Sequence, residues 1–250
     1  MKLEVYGTGS AGNTYALRAG DSTLILDAGI PYKRVLPKLG GLRGVCAVLV
    51  THEHGDHAAA VKDWLFNGVN VLATEGTAKA MFEKGYADNH PSLRIVNYMD
   101  IYRKKGWTII PFPTQHDAEQ PCGFLIRYDP TGETVLYATD TYYLRNRFPA
   151  INYWIVECNY CDDITNQMVE DGKIEKSLRD RLLTSHMSLR RLKDTLAAND
   201  LTQTRKIILV HLSDERSDEE RMVAEVWAAT GKETVAASNG MTIQLDLAPF

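Results

Sequence analysis

Residues 45–57 read VCAVLVTHEHGDH, an apolar run followed at once by a loop of metal-binding side chains. Continuous apolar runs of this kind are typical of strands buried on both faces. The loop then places five potential metal ligands within six positions: His52, Glu53, His54, Asp56 and His57. A tetrahedral zinc ion uses only three or four protein ligands. The stretch therefore predicts a strand end that serves more than one metal ion.

The spacing within the loop divides these side chains into two groups. Alternate side chains of an extended segment point to the same side, so His52 and His54 can bind one ion together. Asp56 and His57 lie at the start of a helix, where the chain turns and directs them toward a neighbouring ion. Glu53 is expected to point away, toward a helix or solvent.

The rest of the chain alternates between apolar runs and helix-period segments. Runs rich in Val, Ile and Leu predict nine strands: KLEVY, TLILDAG, VCAVLV, NVLA, TIIPF, GFLIRY, TVLYA, YWIVE and KIILVHL. Apolar residues recur with helical spacing at 57–67, 75–84, 174–184, 188–199 and 217–230. This alternation predicts an α/β fold in which helices cover the outer faces of the sheets. Since no linker or internal repeat interrupts the pattern, residues 1–250 are expected to form one domain.

Composition and charge narrow the function classes. The 250-residue chain has a net charge of −4 and a pI near 6.0, unlike a cationic protein that coats nucleic acid. Each local basic cluster is typical of a solvated face, although a few such clusters would be enough to line a substrate cleft. Three clusters occur, at 103–105, at Arg145 with Arg147, and at 190–193.

The chain start and the cysteines bear on location. The opening MKLEVYGTGSAG lacks the apolar segment of a secretory signal, and no apolar run approaches the ~20 residues needed to cross a bilayer. The four cysteines are too few and too scattered for a disulfide framework. Cys158 and Cys161 form a C-x-x-C without a second pair, and no role is assigned to them. A cytoplasmic protein with no membrane partner is expected.

Several polar residues directly follow predicted strands. Strand ends that meet along one edge of a sheet can converge on one site, and loops on a rigid scaffold commonly carry chemistry. The residues in this position are Asp27, His52, His116, Asp140, Glu157 and His211. The candidate site therefore extends beyond the loop at 51–57.

These motifs together resemble a known family. THEHGDH behind an apolar strand, followed downstream by TQHD (114–117), ATDT (138–141) and VHLS (210–213), is similar to the H-x-H-x-D-H pattern of metallo-β-lactamase-fold hydrolases. Further stretches resemble the YycJ/WalJ-like exonuclease branch, which is related to ribonuclease Z: GTGSAGN (7–13), LILDAG (24–29), TQHDAEQP (114–121), ECN (157–159) and SHMS (185–188). The resemblance implies the metallo-β-lactamase fold, a four-layer αββα sandwich.

The resemblance also implies a ligand set for two divalent ions, zinc or manganese. One ion would be bound by His52, His54 and His116, and the other by Asp56, His57 and His211. Asp140 would bridge the two ions, and Asp27 would orient a ligand by hydrogen bonding. Since β-lactam-cleaving members carry a cysteine where this chain has Asp140, an antibiotic-hydrolysing role is disfavoured.

Two histidines compete for the last ligand position. His211 ends a predicted strand, as the other ligands do, whereas His186 precedes a helix that Ser188 could cap. His186 resembles the histidine that ribonuclease Z relatives use as a general acid, so we expect His211 to be the ligand and His186 the proton donor. Glu157 is either the partner that holds His186 in place or a solvated strand end.

The glycine-rich stretch 7–13 does not predict a dinucleotide site, because it leads into the strand-like TYALRA rather than a helix. It more plausibly forms a tight loop that brings Ser10 and Asn13 near the substrate.

The sequence thus favours a dinuclear phosphodiesterase in which a hydroxide held between two metals attacks phosphorus. Asp56 would orient that hydroxide. The resemblance favours DNA as substrate and exonucleolytic cleavage. Two alternatives remain, a hydrolase of small phosphodiesters or thioesters that uses the same site, and a non-catalytic binding protein.

Overall fold

The computed structural model describes residues 1–245, so residues 246–250, the end of the predicted domain, lie outside the described part. The described chain divides into two compact units. The first unit contains residues 1–113, 118–133 and 238–245. The second unit contains residues 114–117 and 134–237. A single domain over 1–250 stays a prediction.

The first unit is built on a seven-stranded sheet. Its strands are β1 (Lys2–Gly7), β2 (Thr14–Ala19), β3 (Ser22–Leu26), β4 (Val45–Leu49), β5 (Val71–Ala73), β6 (Leu93–Ile95) and β14 (Thr242–Gln244), in the order β14-β1-β2-β3-β4-β5-β6. Strands β3 to β6 are parallel, and Leu26 lies opposite Leu49. Because neighbouring parallel strands end at the same edge, the loops after β3 and β4 meet there.

Four helices of this unit follow its strands: α1 (Tyr32–Leu39), α2 (Gly55–Ala58), α3 (Val61–Phe66) and α4 (Glu75–Glu83). The core combines sheet residues such as Ile25 and Val48 with helix residues such as Trp64. The same unit contains the antiparallel strands β7 (Tyr102–Lys104), β8 (Trp107–Pro113) and β9 (Cys122–Tyr128). The loop at 51–57 follows β4, in which only Val45 is not buried, and enters the short helix α2.

The second unit contains four parallel strands, β10 (Glu133–Ala138), β11 (Tyr153–Glu157), β12 (Lys206–Val210) and β13 (Glu233–Ala236). Its helices are α5 (Asp162–Glu170), α6 (Lys176–Ser185), α7 (Leu189–Ala197) and α8 (Glu219–Thr230). Ala138 pairs with Val156, and Glu157 pairs with Val210. This register brings the residues that follow β10, β11 and β12 to one edge.

All nine predicted apolar runs overlap strands, although TLILDAG and KIILVHL extend two or three residues beyond theirs, and the predicted α/β class is confirmed. The predicted helix at 57–67 is divided between α2 and α3. None of the helices within residues 1–245 has the length and apolar character required to cross a bilayer.

Candidate metal centre

Asp27 is the centre of a buried network in the first unit. It follows β3, is fully buried, and lies beside the loop that follows β4. Its Oδ1 accepts hydrogen bonds from the Thr51 backbone N–H at 2.8 Å and from the Thr51 hydroxyl at 3.0 Å. Its Oδ2 lies 2.8 Å from Nδ1 of His57, which is also fully buried. Asp27 therefore contacts the His57 ring directly and accepts hydrogen bonds from both the backbone N–H and the hydroxyl of Thr51.

The same network sets the protonation of His52. Nδ1 of His52 lies 3.0 Å from the Thr51 hydroxyl oxygen. Because that hydroxyl donates its only proton to Asp27, its oxygen must accept the proton on Nδ1 of His52. His57 likewise donates from Nδ1 to the Asp27 carboxylate. In their neutral form both imidazoles thus keep the Nε2 lone pair, which is the form that binds a divalent cation.

The imidazole rings of the loop lie close together. The ring centroids of His52 and His54 are 4.6 Å apart, and those of His52 and His57 are 4.3 Å apart. Asp56 Oδ2 lies 3.3 Å from Nε2 of His57. The loop of this unit therefore concentrates three imidazoles and one carboxylate in a small volume.

Gly29 and Asn13 pack against the backbone of the loop at 51–57. The Asp56 carbonyl accepts a hydrogen bond from the Asn13 N–H at 2.7 Å, and the Asn13 carbonyl accepts one from Gly29 at 3.0 Å. A Cβ on Gly29 would lie 1.7 Å from the Asp56 carbonyl oxygen, so only glycine fits there. Asn13 is buried, and its Nδ2 lies 3.0 Å from Nε2 of His57. Ser10, in the same glycine-rich loop, is exposed.

Glu53 does not point into solvent, so that alternative was wrong. It is only 3% exposed, and its Oε1 accepts a hydrogen bond from the Glu119 N–H at 3.0 Å. The carboxylate fastens the loop that follows residue 117 to the strand end. Sequence reasoning had no way to see this partner, because the donor is a backbone group.

In the second unit, His116 is oriented by a backbone carbonyl. Its Nδ1 lies 2.9 Å from the carbonyl oxygen of Ser185, the last residue of α6. A carbonyl oxygen can only accept, so Nδ1 carries a proton, and in the neutral imidazole Nε2 keeps its lone pair. Nε2 lies 3.8 Å from Asp140 Oδ2. His116 therefore has the same protonation that Asp27 imposes on His52 and His57.

Four further side chains converge in this unit: Asp140, Glu157, His186 and His211. Each offers a potential ligand atom, and these atoms lie within 4.8 Å of one another. His211 Nδ1 lies 3.1 Å from Asp140 Oδ1, whereas His186 Nδ1 lies 4.0 Å from Asp140 Oδ2. The side chain of His186 is 20% exposed and that of His211 is 6% exposed. His186 is thus the more accessible of the two histidines.

Glu157 is fully buried and links the cluster together. Its Oε1 lies 2.6 Å from Nδ1 of His186 and 3.2 Å from Nδ1 of His211. Its Oε2 accepts hydrogen bonds from the N–H groups of Thr141 at 2.8 Å and Met187 at 3.2 Å. Both carboxylate oxygens are therefore used within the unit, and Glu157 is not a solvated strand end.

The contact between Glu157 and His186 shifts the pKa values of both side chains. Burial raises the pKa of Glu157, but the charge of His186 and the hydrogen bonds from His186 and His211 outweigh burial and lower that pKa overall. Burial lowers the pKa of His186, but the charge and hydrogen bond of Glu157 outweigh it and raise that pKa overall. The pair therefore favours a protonated His186 beside an ionised Glu157.

Three of these strand-end residues share an uncommon backbone conformation. Asp27, Asp140 and His211 have φ values of 56°, 48° and 55°, in the left-handed region. Each directly follows, or lies two residues after, a parallel strand. Such conformations cost about 1–3 kcal/mol each in non-glycine residues and occur often at functional sites. The turn directs each side chain away from the path of its strand.

The donor set fits divalent metal ions. It consists of imidazole nitrogens and carboxylate oxygens, which suit zinc and manganese. His52, His57 and His116 each have Nδ1 held by an acceptor, an arrangement typical of metal ligands. Within the second unit, Asp140 and His211 belong to a group of side chains that could hold a metal ion. Thr51 and the Ser185 carbonyl, which orient His52 and His116, were not predicted.

Comparisons with known proteins agree with this chemistry. A family model described as "Beta-lactamase superfamily domain" matches residues 23–212. Exodeoxyribonuclease WalJ of Streptococcus pneumoniae (strain D39) is 26% identical over 234 residues, which are 88% of this chain and 84% of that protein. Ribonuclease Z of Mycobacterium marinum is 29% identical over 178 residues, 56% of this chain and 63% of that protein.

A solved structure matches over nearly its whole length. The metallo-β-lactamase-fold protein YhfI of Bacillus subtilis superposes with a TM-score of 0.73 at 18% identity, covering 97% of this chain and 98% of that chain. The predicted metallo-β-lactamase fold is thereby confirmed, as is the resemblance to the WalJ branch and to ribonuclease Z. The prediction of a hydrolase is confirmed at the level of the family. With 190 of its residues matched by the family model, the chain belongs to the β-lactamase superfamily.

Proposed function

We propose that this protein is a phosphodiesterase that uses two divalent metal ions and degrades DNA from its ends. The network around Asp27 carries the proposal, because it holds two histidines in the protonation state that metal binding requires. The similarity to an exodeoxyribonuclease over 88% of the chain supports DNA as the substrate. The aspartate at position 140 argues against a β-lactam substrate.

The proposed ligand set follows the family pattern. His52, His54 and His116 would hold one ion, and Asp56, His57 and His211 would hold the other, with Asp140 shared between them. Asp27 acts through His57 and, by way of Thr51, through His52. Bound divalent ions supply Lewis acidity and lower the pKa of an attacking water. Zinc and manganese both suit nitrogen and oxygen ligands.

His186 and Glu157 would handle the proton that the leaving group needs. An alkoxide is a poor leaving group until it is protonated. Glu157 holds Nδ1 of His186 at 2.6 Å, which leaves Nε2 of the partly exposed ring as the atom that can donate. Asp56, which is half-buried beside His57, would orient the attacking water. Asn13 is buried against His57, so its proposed contribution is to position that ring. Ser10 is exposed, which leaves it available to contact substrate.

The central experiment measures bound metal and activity on the same preparation. Metal content should approach two equivalents per chain after incubation with zinc or manganese. The protein should shorten end-labelled single- or double-stranded DNA and also hydrolyse a chromogenic phosphodiester. Hydrolysis of the small diester but not of DNA would overturn the nuclease assignment and favour small diesters. A protein that binds no metal and cleaves neither substrate would overturn both enzyme assignments.

The role of His186 needs its own variant. His186→Ala should depress turnover by about 10²–10⁴-fold, the usual contribution of a general acid, while metal content stays at the wild-type value. His90→Ala is the matched control, since His90 lies in a separate loop where its Nδ1 accepts the Ser92 N–H. Loss of one metal equivalent in His186→Ala would instead make His186 a ligand.

A further inference from the structure

A groove rich in arginine lies in the second unit beside the segment that carries Asp140. It has a volume of about 380 Å³ and is formed by residues 143–147 and by α7 with the residues that follow it. Its charged lining residues are Arg145, Arg147, Arg190, Arg191 and Asp194. Four arginines and one aspartate give the groove a formal charge of +3. It therefore contrasts with the net charge of −4 of the whole chain.

Most of this positive charge is available to a ligand. Arg145, Arg147 and Arg190 are exposed, and among the described residues Arg145 and Arg147 have no ion pair with an acid. Arg190 makes only a long contact of 3.8 Å with Asp162. Exposed guanidinium groups pair with phosphate in a bidentate manner. The groove thus suits a ligand that carries several phosphates.

The wall of the groove is rigid rather than a loose loop. The Thr141 hydroxyl donates to the Tyr143 carbonyl at 2.8 Å, and the Phe148 N–H donates to Asn199 Oδ1 at 2.8 Å. Arg191 Nη1 donates to the backbone carbonyl of Tyr142 at 3.4 Å, and the Arg191 guanidinium lies 5.4 Å from the centre of the Tyr142 ring. Arg191 therefore supports the wall, while Arg145 and Arg147 project from a backbone that is held at three points.

Tyr143 adds an aromatic surface to this wall. Its side chain is 49% exposed, which is unusual for a large ring next to a packed segment. Aromatic rings next to arginines are the combination on which bases of single-stranded nucleic acids stack. Tyr143 lies three positions after Asp140, so their Cα atoms lie at most about 11 Å apart. The phosphate spacing along one strand of a B-form duplex, about 3.4 Å, would place roughly three nucleotides in that distance, and a more extended single strand would place fewer.

We propose that this groove is a subsite for a single-stranded polynucleotide, in which Arg145, Arg147 and Arg190 bind phosphates beyond the one being cleaved and Tyr143 stacks on a base. The proposal rests on the proposed function and names its substrate more closely. It predicts that the enzyme distinguishes a strand of several nucleotides from an isolated phosphodiester, which the metal centre alone does not.

Binding to a fluorescein-labelled phosphorothioate dT12, measured by anisotropy at several salt concentrations, tests this subsite. In Arg145→Ala/Arg147→Ala the affinity should fall by at least about tenfold, and the slope of log affinity against log salt should shrink by about 1.4, or ~0.7 for each lost phosphate contact. Tyr143→Ala should weaken binding by about 5- to 150-fold, the range for one stacked base, whereas Tyr143→Phe should bind as the wild type does. The charge-matched control is Arg43→Ala/Arg103→Ala, two exposed arginines of the first unit.

Three outcomes would overturn the subsite. An unchanged affinity and salt slope in Arg145→Ala/Arg147→Ala would do so, and so would an equal loss in Arg43→Ala/Arg103→Ala, which would indicate non-specific attraction. The third is loss of binding in Arg145→Lys/Arg147→Lys together with a lowered melting temperature, which would indicate a structural role.

Activity separates this proposal from the proposed function. The ratio of kcat/KM for DNA to kcat/KM for a chromogenic diester should fall at least about tenfold in Arg145→Ala/Arg147→Ala, matching the loss of binding. If the wild type cleaves neither substrate but binds dT12 through the groove, the phosphodiesterase assignment fails and the subsite stands. If the wild type cleaves DNA and the ratio does not change, the subsite alone fails.

Discussion

Nδ1 of His57 lies 2.8 Å from Oδ2 of Asp27, and neither side chain is accessible to solvent. The same carboxylate accepts both donors of Thr51, so one buried acid controls two proposed metal ligands. Loss of such an outer partner commonly costs 10–100-fold in metal affinity. The first predictions follow from this relationship.

Asp27→Asn should reduce metal affinity by about 10–100-fold while the chain remains folded. The amide cannot accept hydrogen bonds at both of its terminal atoms, so either Thr51 or His57 would face a donor instead of an acceptor. Competition with a chromogenic chelator measures the affinity. Asp21→Asn, at an exposed turn, is the control and should leave the affinity unchanged. Wild-type affinity in Asp27→Asn would show that the carboxylate does not orient the ligands.

Thr51→Val should weaken binding of the ion held by His52 and leave the contact between Asp27 and His57 in place. Valine matches threonine in shape but removes the hydroxyl that accepts the proton of His52. About a tenfold loss of affinity for one of two metal equivalents is expected in a titration followed by calorimetry. Thr51→Ser keeps the hydroxyl and should restore binding. An equal loss in both variants would point to packing of the methyl group instead.

Gly29→Ala should disturb the loop that carries Asp56, because the new Cβ would meet the Asp56 carbonyl oxygen at 1.7 Å. The chain must shift to relieve that overlap, which costs about 1–3 kcal/mol of the free energy of unfolding and displaces the loop. Denaturant unfolding and metal content measure the two effects. Gly40→Ala is the comparison, since Gly40 has φ of 78° but open space around it. It should lower stability by about 1 kcal/mol without loss of metal.

A carboxylate far from the proposed metals gives a prediction about pH. Burial raises the pKa of Glu4, but hydrogen bonds from Lys2, Tyr6 and Arg18 outweigh it and lower that pKa overall. A group whose pKa is lower in the folded state stabilises the protein at pH values above its unfolded pKa, and this contribution is lost as pH falls through the folded pKa. Glu4→Gln should therefore be less stable than the wild type by about 1 kcal/mol at pH 7.

The difference in the free energy of unfolding between the wild type and Glu4→Gln should become smaller as the pH falls below the usual pKa of a glutamate. Urea unfolding between pH 7 and about pH 3 measures it, because the loss begins below the usual glutamate pKa of about 4.3. Glu83→Gln provides the control, because Glu83 is exposed at the end of α4. A difference that is constant with pH would show that the hydrogen-bond geometry, and not the charge of Glu4, provides the stabilisation.

The strand ends explain how much of the site could be predicted. Asp27, Asp140 and His211 follow long apolar strands, and parallel strands bring their ends together, so sequence pattern and topology agree there. The hydroxyl of Thr51 and the carbonyl of Ser185 could not be predicted, because their roles depend on distances of about 3 Å that leave no pattern in the sequence. The burial of Glu53 could not be predicted for the same reason, since its partner is a backbone N–H.

The missed elements have local causes. Helix α1 contains Pro37, which usually argues against a helix interior, and helix α5 buries only Thr165 and so lacks an apolar stripe. Strands β6 and β14 are three residues long and largely exposed, so tertiary pairing decides their conformation. Each departs from the local pattern that identifies longer elements.

The left-handed backbone conformations of Asp27, Asp140 and His211 lower the stability of the fold, whereas the proposed activity depends on the side chains at these positions. Glycine adopts this conformation without strain, so replacing Asp140 or His211 by glycine would relieve a local cost of about 1 kcal/mol or more while removing the chemical group. A selection for thermal stability alone would then enrich inactive proteins at these two positions. Stabilised versions of this protein should therefore be sought elsewhere in the chain, and glycine at either position in a natural relative would mark a fold that has been kept after its chemistry was given up.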